Sequence, residues 1–583
     1  MRLSEALRII AQPAGDRQRN VHLLCGFTPL HLETLIKAHL RLRFPEDDTV
    51  VRTGLFEDLE GNIQRAAASG AGSGAIVPIE WSDLDRRLGF RAAAGWTLPV
   101  LDDIVAQVEE KCRRLDAHFA ELAGAMPVVV LAPSLGLPPF THVPPAETSA
   151  WELRLNAILI QFLNRILDRG GIRVVSATSL ERRSPLAGRH DLKMDLLAGF
   201  PYSLPHADAV AELALDCLFP AVPRKGIITD LDETLWSGIL GDVGPDGVSW
   251  SLEDKSQAHA LYQQVLASLA DSGVLVAIAS KNDPALADAA LHRHDILLSA
   301  ERIFPVEAGW DPKSAAVGRI LEAWNIGPES VVFVDDSPME LAEVAEKYPG
   351  IECLRFPSGD PAAILALLWH LRARFGKSDV REEDRLRLAS LRASAALRQE
   401  SSGEAPADFL SRLEAKVTFE AVPADAADQR ALELVNKTNQ FNLNGARYTE
   451  AEWKALGART GAFLATVSYE DRFGPLGRIA VLGGHLDAGL CCVDIWVMSC
   501  RAFSRQIEFQ TIRRLFDKTG ASAIRFRFRP TERNGPLQSF FTDSLHGASS
   551  GEGEVELEAS MFDRLCPQLF HQVNDKWTLP KTN

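Results

Sequence analysis

No stretch of this chain comes near the roughly 18 consecutive apolar residues that a membrane-crossing helix needs, although apolar residues make up 46% of its 583 positions. Its opening segment, MRLSEALRIIAQPAGDRQRN, lacks the apolar core of a signal peptide. Basic residues are outnumbered, 62 Lys and Arg against 78 Asp and Glu, for a formal charge of −16. A chain of that sign repels nucleic acid and anionic membrane unless a local basic patch intervenes, so neither is an expected partner. The eight cysteines form no CxxC pair; with no signal peptide they read as reduced thiols of a cytoplasmic protein. Internal repeats are absent. With 24% charged residues the composition is ordinary for a globular protein and excludes a mainly disordered one.

What is present is alternation. Over residues 1–220, short apolar runs (Val21–Cys25, Val50–Arg52, Ala75–Glu80, Pro127–Ala132, Ile172–Ser176) alternate with amphipathic stretches such as Leu30–Leu42 and Trp151–Leu167. That is the pattern of an α/β domain whose parallel sheet is covered on both faces. GAGSGA at 70–75 mimics a dinucleotide-binding glycine loop, but it follows a helical pattern and precedes a strand, so it reads as a turn. A second strand-helix unit spans 221–375, with strands at Gly226–Thr229, Val274–Ala279 and Val331–Val334. Its first helix is expected over Asp254–Ser272, with Ser251 in a capping-box-like position and Gly273 ending it. Residues 376–413 are charged, rich in Ala, Leu and Arg, and interrupted by SSGEAPAD; they read as a helical linker. Residues 414–583 mix strands (Phe463–Tyr469, Ile479–Leu482, Cys492–Val497, Ile524–Phe528) with helices (Asp425–Asn436, Gln506–Asp517), an α+β domain.

Four polar pieces stand where expected strands end or helices begin, the edge at which open parallel sheets bind ligands. Asp230 and Asp232, in DLDETLW, can converge on one hard cation such as Mg²⁺. One carboxylate can attack phosphorus while the other serves as acid and base. Alone, this pair is a weak signal. Ser280, Lys281 and Asn282 follow the next strand; a hydroxyl and nearby N–H groups there can hold phosphate oxygens, while Asp283-Pro284 reads as a helix start. Lys313 lies in the first turn of a helix opened by Asp311-Pro312, either aimed at a phosphate or simply solvated. Asp335 and Asp336 follow the third strand, and adjacent carboxylates repel unless a cation joins them or one faces solvent. Only 21 residues separate Asp232 from Asp254, and 32 separate Ser280 from Lys313. Neither gap holds a cap domain, and the first reads as a hairpin flap. Since lids usually exclude water from small-molecule sites, an open site points to a macromolecular partner or to closure by flanking domains.

Taken in order, the four pieces resemble the motifs of the haloacid dehalogenase superfamily of phosphotransferases. The resemblance implies a Rossmann-like parallel sheet and Mg²⁺. It makes Asp230 the nucleophile and a metal ligand, and Asp232 the acid/base, with its backbone carbonyl on the metal. It places Thr234, Ser280, Lys281, Asn282 and Lys313 around the phosphoryl group, and Asp335 with Asp336 in the metal shell. The wording DLDETLWSGILGDVG, ASKNDP and VFVDDSP is narrower and resembles the FkbH-like family of polyketide and related biosynthetic clusters, over most of the chain. NKTNQFN (436–442), DRFG (471–474), MSCR (498–501) and PTERN (530–534) look like the GNAT-like C-terminal part of its long members. The N-terminal domain looks like their SGNH-hydrolase-like (flavodoxin-like) domain. What this implies is a glyceryl transferase/phosphatase. The glyceryl group of 1,3-bisphosphoglycerate passes to the phosphopantetheine thiol of an acyl carrier protein, phosphate is removed, and an acyl or pantetheine site is implied near Asn439, Asn442, Cys500 and Arg501. The other reading is a phosphatase of a sugar phosphate or phosphoprotein, with the flanking domains as adaptors.

Several positions depart from the family. Relatives often carry Cys where this chain has Gly226, and Asn where it has Glu233. The stretch Arg501-Ala-Phe-Ser504-Arg-Gln506 lacks both glycines of the acetyltransferase pyrophosphate loop, and side chains there hinder close backbone approach; docking of a carrier's pantetheine stays open. Cys25-Gly26-Phe27-Thr28 offers no serine nucleophile, so the N-terminal domain is expected to be a scaffold or docking unit. Along Ile524–Arg529, alternation places three arginines on one strand face, either a receiving stripe for an acidic carrier or an ordinary exposed face. Cys500 beside Arg501 is either an activated thiol or a small buried residue.

Overall fold

Valine- and isoleucine-rich runs in the first unit, Met1–Val222, pair as five parallel strands in a computed structural model of the chain. It describes all residues except 14, 16, 71, 93–95, 379, 381–383, 385, 390, 393–409, 423–427, 439–440, 458–460, 473, 488, 500–501, 503–504, 533, 546–548, 552 and 578–583. The strands are β1 (Arg17–Leu23), β2 (Asp47–Thr53), β3 (Gly74–Pro78), β4 (Val128–Leu131) and β5 (Ile172–Val174), in the order β2-β1-β3-β4-β5. β3 and β4 are buried throughout, as a sheet with helices on both faces requires. The glycine run near 70 is structural: Gly70, at φ 58°, ends the helix Leu59–Ser69, and a Cβ on Gly74 would stand 2.4 Å from Leu218.

The second unit, Pro223–Asn583, contains two sheets. In the first, β6 (Gly226–Thr229), β7 (Leu275–Ser280), β8 (Ile303–Ala308), β9 (Val331–Asp335) and β10 (Glu352–Arg355) run parallel in the order β10-β9-β6-β7-β8. The three central strands are the buried runs that the sequence marks. The two edges are not marked, because β8 carries a proline and β10 is only half-buried. The expected helix over Asp254–Ser272 begins later, at Gln257, and ends at Asp271. Ser251 and Asp254 do exchange hydrogen bonds, but these close a turn ahead of the helix.

In the second sheet, eight mainly antiparallel strands take the order β16-β17-β15-β14-β13-β12-β11-β18. They are β11 (Lys416–Ala421), β12 (Ala462–Asp471), β13 (Gly474–Asp487), β14 (Leu490–Met498), β15 (Ala523–Phe526), β16 (Ser549–Gly551), β17 (Glu554–Glu558) and β18 (Gln572–Lys576). The helices Ile507–Thr519 and Ala559–Leu565 pack on one face, and Gln429–Lys437 with Glu450–Gly457 on the other. β15 stops at Phe526, two residues short of expectation. Most of the linker reading, 376–413, lies outside the described residues. Among the described residues, no helix is long and apolar enough to cross a membrane.

Candidate active site

Because β9, β6 and β7 are neighbours, their C-terminal ends deliver Asp335, Asp230 and Ser280 side by side. Just beyond β6 the chain turns through Glu233, at φ 51°. Its carboxylate accepts from Gly238 N–H and Ser358 Oγ, at 2.7 Å each. The helix Gln257–Asp271 braces this loop from below its backbone: His259 Nδ1 and Gln263 Nε2 donate to the carbonyls of Thr234 and Leu235 at 3.0 Å.

Carboxylate oxygens of Asp230, Asp335 and Asp336 lie within 4.8 Å of one another. Asp230 Oδ1 is buried and has no hydrogen-bond partner. A buried orphan oxygen beside two further carboxylates fits a hard divalent cation, which would satisfy it and relieve the mutual repulsion. Burial pushes the Asp230 carboxyl up to about 6, against the pull of Lys313. Burial raises Asp335 and Asp336 as well.

Lys313 is the counter-charge. Its Nζ lies 2.6 Å from Asp230, 2.5 Å from Asp335 and 2.6 Å from Glu340, with only 4% of the side chain exposed. Burial alone would lower its pKa, but Asp230 and Asp335 hold it above the usual lysine range. Far from snorkelling into solvent, the first-turn lysine is turned inward.

Other expected residues take different places. Asp232 lies outside the cluster of ligand atoms: its Oδ1 accepts from the Trp236 indole N–H at 3.0 Å and from Leu240 N–H at 3.1 Å, and its Oδ2 from Asn282 Nδ2 at 3.0 Å. Those donors hold its carboxylate apart from the other three. Asn282 also donates to Ser280 Oγ at 3.0 Å, so its amide joins the Asp232 and Ser280 side chains. Lys281 pairs with Glu340 at 3.0 Å. Thr234 is wholly buried, and its hydroxyl oxygen has no partner.

Glu340 was not legible as a site residue. It stands in the first turn of the helix Pro338–Lys347, where an acid is commonplace. One turn on, Glu343 accepts from Ser314 N–H at 3.0 Å and so caps the helix that carries Lys313. The pair of acids at i and i+3 was the available signal.

The glycine at 226 has a visible packing reason. A Cβ there would lie 2.4 Å from the Trp324 ring, which is 1% exposed and donates to Phe304 O at 2.6 Å. The indole fills the volume that a cysteine side chain would need. Gly226→Ala is therefore expected to cost about 1–3 kcal/mol by overpacking, and Trp324→Leu in that background to recover part of it, read by chemical denaturation.

In the C-terminal sheet the acyl-site expectations are not met where they can be read. Asn442 is buried: its amide donates to Thr438 O at 3.0 Å and its Oδ1 accepts from Gly445 N–H at 2.9 Å, which ties down its own loop. Asn439, Cys500 and Arg501 lie outside the described residues, as does Ser504. Two of the three arginines of the stripe are already compensated. Arg525 faces Glu556 across β15–β17, with N–H to carboxylate distances of 3.0 and 3.2 Å, and Arg527 pairs with Asp494 at 3.1 Å.

The first unit holds a buried polar chain that no local motif announces. Ser134 Oγ lies 2.9 Å from His206 Nε2 and donates to Glu80 Oε1 at 2.6 Å, while Ser184 Oγ lies 2.9 Å from His206 Nδ1. This is not a nucleophile triad, because the carboxylate engages the serine proton and the histidine's second nitrogen meets a hydroxyl. Burial pushes His206 down to about 3, so it stays neutral.

No protein-family model matches the chain, nor does any curated protein. Among solved structures it is similar to the N-terminal part of the protein BF1531 from Bacteroides fragilis, which contains a phosphatase domain complexed with Mg. That likeness has 19% identity over 65% of this chain and 100% of the other, with a TM-score of 0.48. It is also similar to an uncharacterized protein from Corynebacterium glutamicum, at 19% identity over 26% of this chain and 98% of that one, with a TM-score of 0.20. The chemistry of this chain is read from its own residues.

Proposed function

We propose that the chain is a Mg²⁺-dependent phosphatase and glyceryl transferase working through Asp230. The observation that carries the phosphatase part is the orphaned Asp230 Oδ1 beside Asp335 and Asp336, with Lys313 against the other oxygen. Asp230, Asp335 and Asp336 would hold Mg²⁺, which supplies charge neutralisation to the phosphoryl group. Asp230 attacks the ester phosphorus and becomes an aspartyl phosphate. Asp232, oriented by Trp236 and Asn282, gives a proton to the departing alcohol and later takes one from the water that frees phosphate. Lys313 offsets charge on the transferring oxygens.

The substrate we propose is 1,3-bisphosphoglycerate, with an acyl carrier protein as acceptor. Its carrier thiol attacks the acyl carbon and expels the acyl phosphate as inorganic phosphate, while the ester phosphate goes through Asp230. What supports a protein-borne acceptor is the exposed apolar surface next in sequence to site residues. Trp310 is 76% exposed just ahead of Lys313, and Met339 is 73% exposed beside Glu340. Exposed large apolar groups around a charged cleft suit a docking protein. Intact-mass measurement of a pantetheinylated carrier, after incubation with the full chain, Mg²⁺ and 1,3-bisphosphoglycerate, is expected to show a gain of one glyceryl unit. An unchanged mass with every cognate carrier overturns the transfer reading. The compensated arginines at 525 and 527 favour the second reading, a phosphatase of a sugar phosphate or phosphoprotein; phosphate release that ignores the carrier selects it.

A further inference from the structure

We propose that Glu340 is a positioning residue that holds the phosphoryl seat on Lys313 while the site is empty, and that Lys281 draws it away when phosphate arrives. The proposal rests on the phosphatase reading above.

An ammonium group has three N–H donors. Those of Lys313 face three carboxylates, Asp230, Asp335 and Glu340, all within 2.6 Å. Together they crowd Nζ, so one carboxylate must let go before Lys313 can hold a phosphoryl oxygen. Asp230 must stay, since it is the attacking group, and Asp335 lies in the metal cluster. Glu340 has neither duty. It is also the least well held: Lys313 donates hydrogen bonds to Asp230 and Asp335, which support its charge, whereas Glu340 Oε2 is buried beside Nζ without an aligned hydrogen bond.

A leaving carboxylate needs another cation, and one is in place. Lys281 Nζ stands 3.0 Å from Glu340 Oε1, the oxygen that Lys313 does not touch. Lys281 follows β7 and Glu340 follows β9, on either side of the strand that delivers Asp230. Lys281 is 35% exposed at its side chain, against 4% for Lys313, so it has room to shift. Glu340 is thus shared by two ammonium groups, one buried in the site and one at its mouth. Transfer to Lys281 alone opens a donor on Lys313 without leaving a bare buried charge.

The two side chains therefore act on phosphate affinity with opposite signs. When only a fraction of molecules is competent to bind, apparent affinity falls by that fraction. Glu340→Gln removes the competitor and is expected to tighten binding of inorganic phosphate by about 5- to 10-fold, whereas Lys281→Met leaves Glu340 on Lys313 alone and weakens it by about the same factor. In the double variant, loss of Lys281 has no further effect. The measurement is calorimetric titration of the full chain with inorganic phosphate in Mg²⁺, with kcat and KM for phosphate-ester hydrolysis and a melting curve for each variant. If Glu340→Gln does not fold, Glu340→Asp, one methylene shorter and unable to span both lysines, takes its place with the same expected sign. Looser binding in the Glu340 variants, or a further loss on adding Lys281→Met to Glu340→Gln, overturns the proposal; the latter makes Lys281 a direct phosphate ligand. Failure of the unaltered chain to bind phosphate overturns the phosphatase reading itself, and this inference with it.

Discussion

With Asp230 replaced by asparagine, phosphate release in the presence of Mg²⁺ falls by about 10⁴-fold or more, the scale seen when a nucleophile is removed from a working constellation. The fold survives, because the amide is isosteric and Lys313 keeps Asp335 and Glu340. Thermal melts sharpen the prediction. In the metal-free chain the Asp230 carboxyl is raised from its ordinary 3.8 to about 6, chiefly by burial. The folded state therefore holds this proton more tightly than the unfolded state, and stability falls as pH rises between those values. Asn at 230 removes that slope. It also removes most of the melting-temperature gain that Mg²⁺ gives the unaltered chain. That gain should shrink below pH 6, where protons compete with the cation for the same oxygen. A variant that still releases phosphate at a tenth of the normal rate excludes Asp230 as the nucleophile, and the same Mg²⁺ response before and after replacement excludes it as a metal ligand.

The second large effect is expected at Lys313. Lys313→Met takes the counter-charge from three buried carboxylates at once. Breaking a buried ion pair by removing one partner costs about 3–5 kcal/mol, so the metal-free protein should melt well below the unaltered chain at pH 7.5. Acid should narrow the gap, because carboxylates without their cation protonate more readily and a neutral cluster needs no lysine. Mg²⁺ should narrow it too, but incompletely, since Glu340 lies outside the cluster of ligand atoms. Hydrolysis should fall by about 10²- to 10³-fold even where the variant is folded, the usual effect of losing one donor to a developing negative charge. Denaturation curves at two pH values, with and without Mg²⁺, check the first part, and initial rates check the second. Unchanged stability at pH 7.5 would mean that the lysine does not compensate the cluster.

That Asp230, Ser280 and Asp335 share one strand edge was legible because the chain writes them in a repeating way. Each buried apolar strand, Gly226–Thr229, Leu275–Ser280 and Val331–Asp335, breaks into polar residues at its C-terminal end, where a parallel sheet exposes its ligand edge. The edge strands escaped notice because half-buried strands alternate only weakly. Glu340 escaped because its meaning depends on two lysines that are 27 and 59 positions away in sequence, Lys313 and Lys281. The arginine stripe could not be decided from sequence for the same reason: Arg525 and Arg527 show their charges locally, while Glu554, Glu556 and Asp494, which pair with them, come from neighbouring strands. The chain from Glu80 through Ser134 to His206 joins segments over a hundred residues apart and leaves no local signature.

Trp236, wholly buried, gives its one indole proton to Asp232 Oδ1. When that carboxylate takes up a proton during turnover, the indole loses an anionic acceptor and keeps a neutral one. Of the 11 tryptophans, Trp236 is therefore the one whose absorbance and emission would respond to the protonation of Asp232. The proposed cycle would thus carry an optical label in the chain itself, four residues from the carboxylate it reports on.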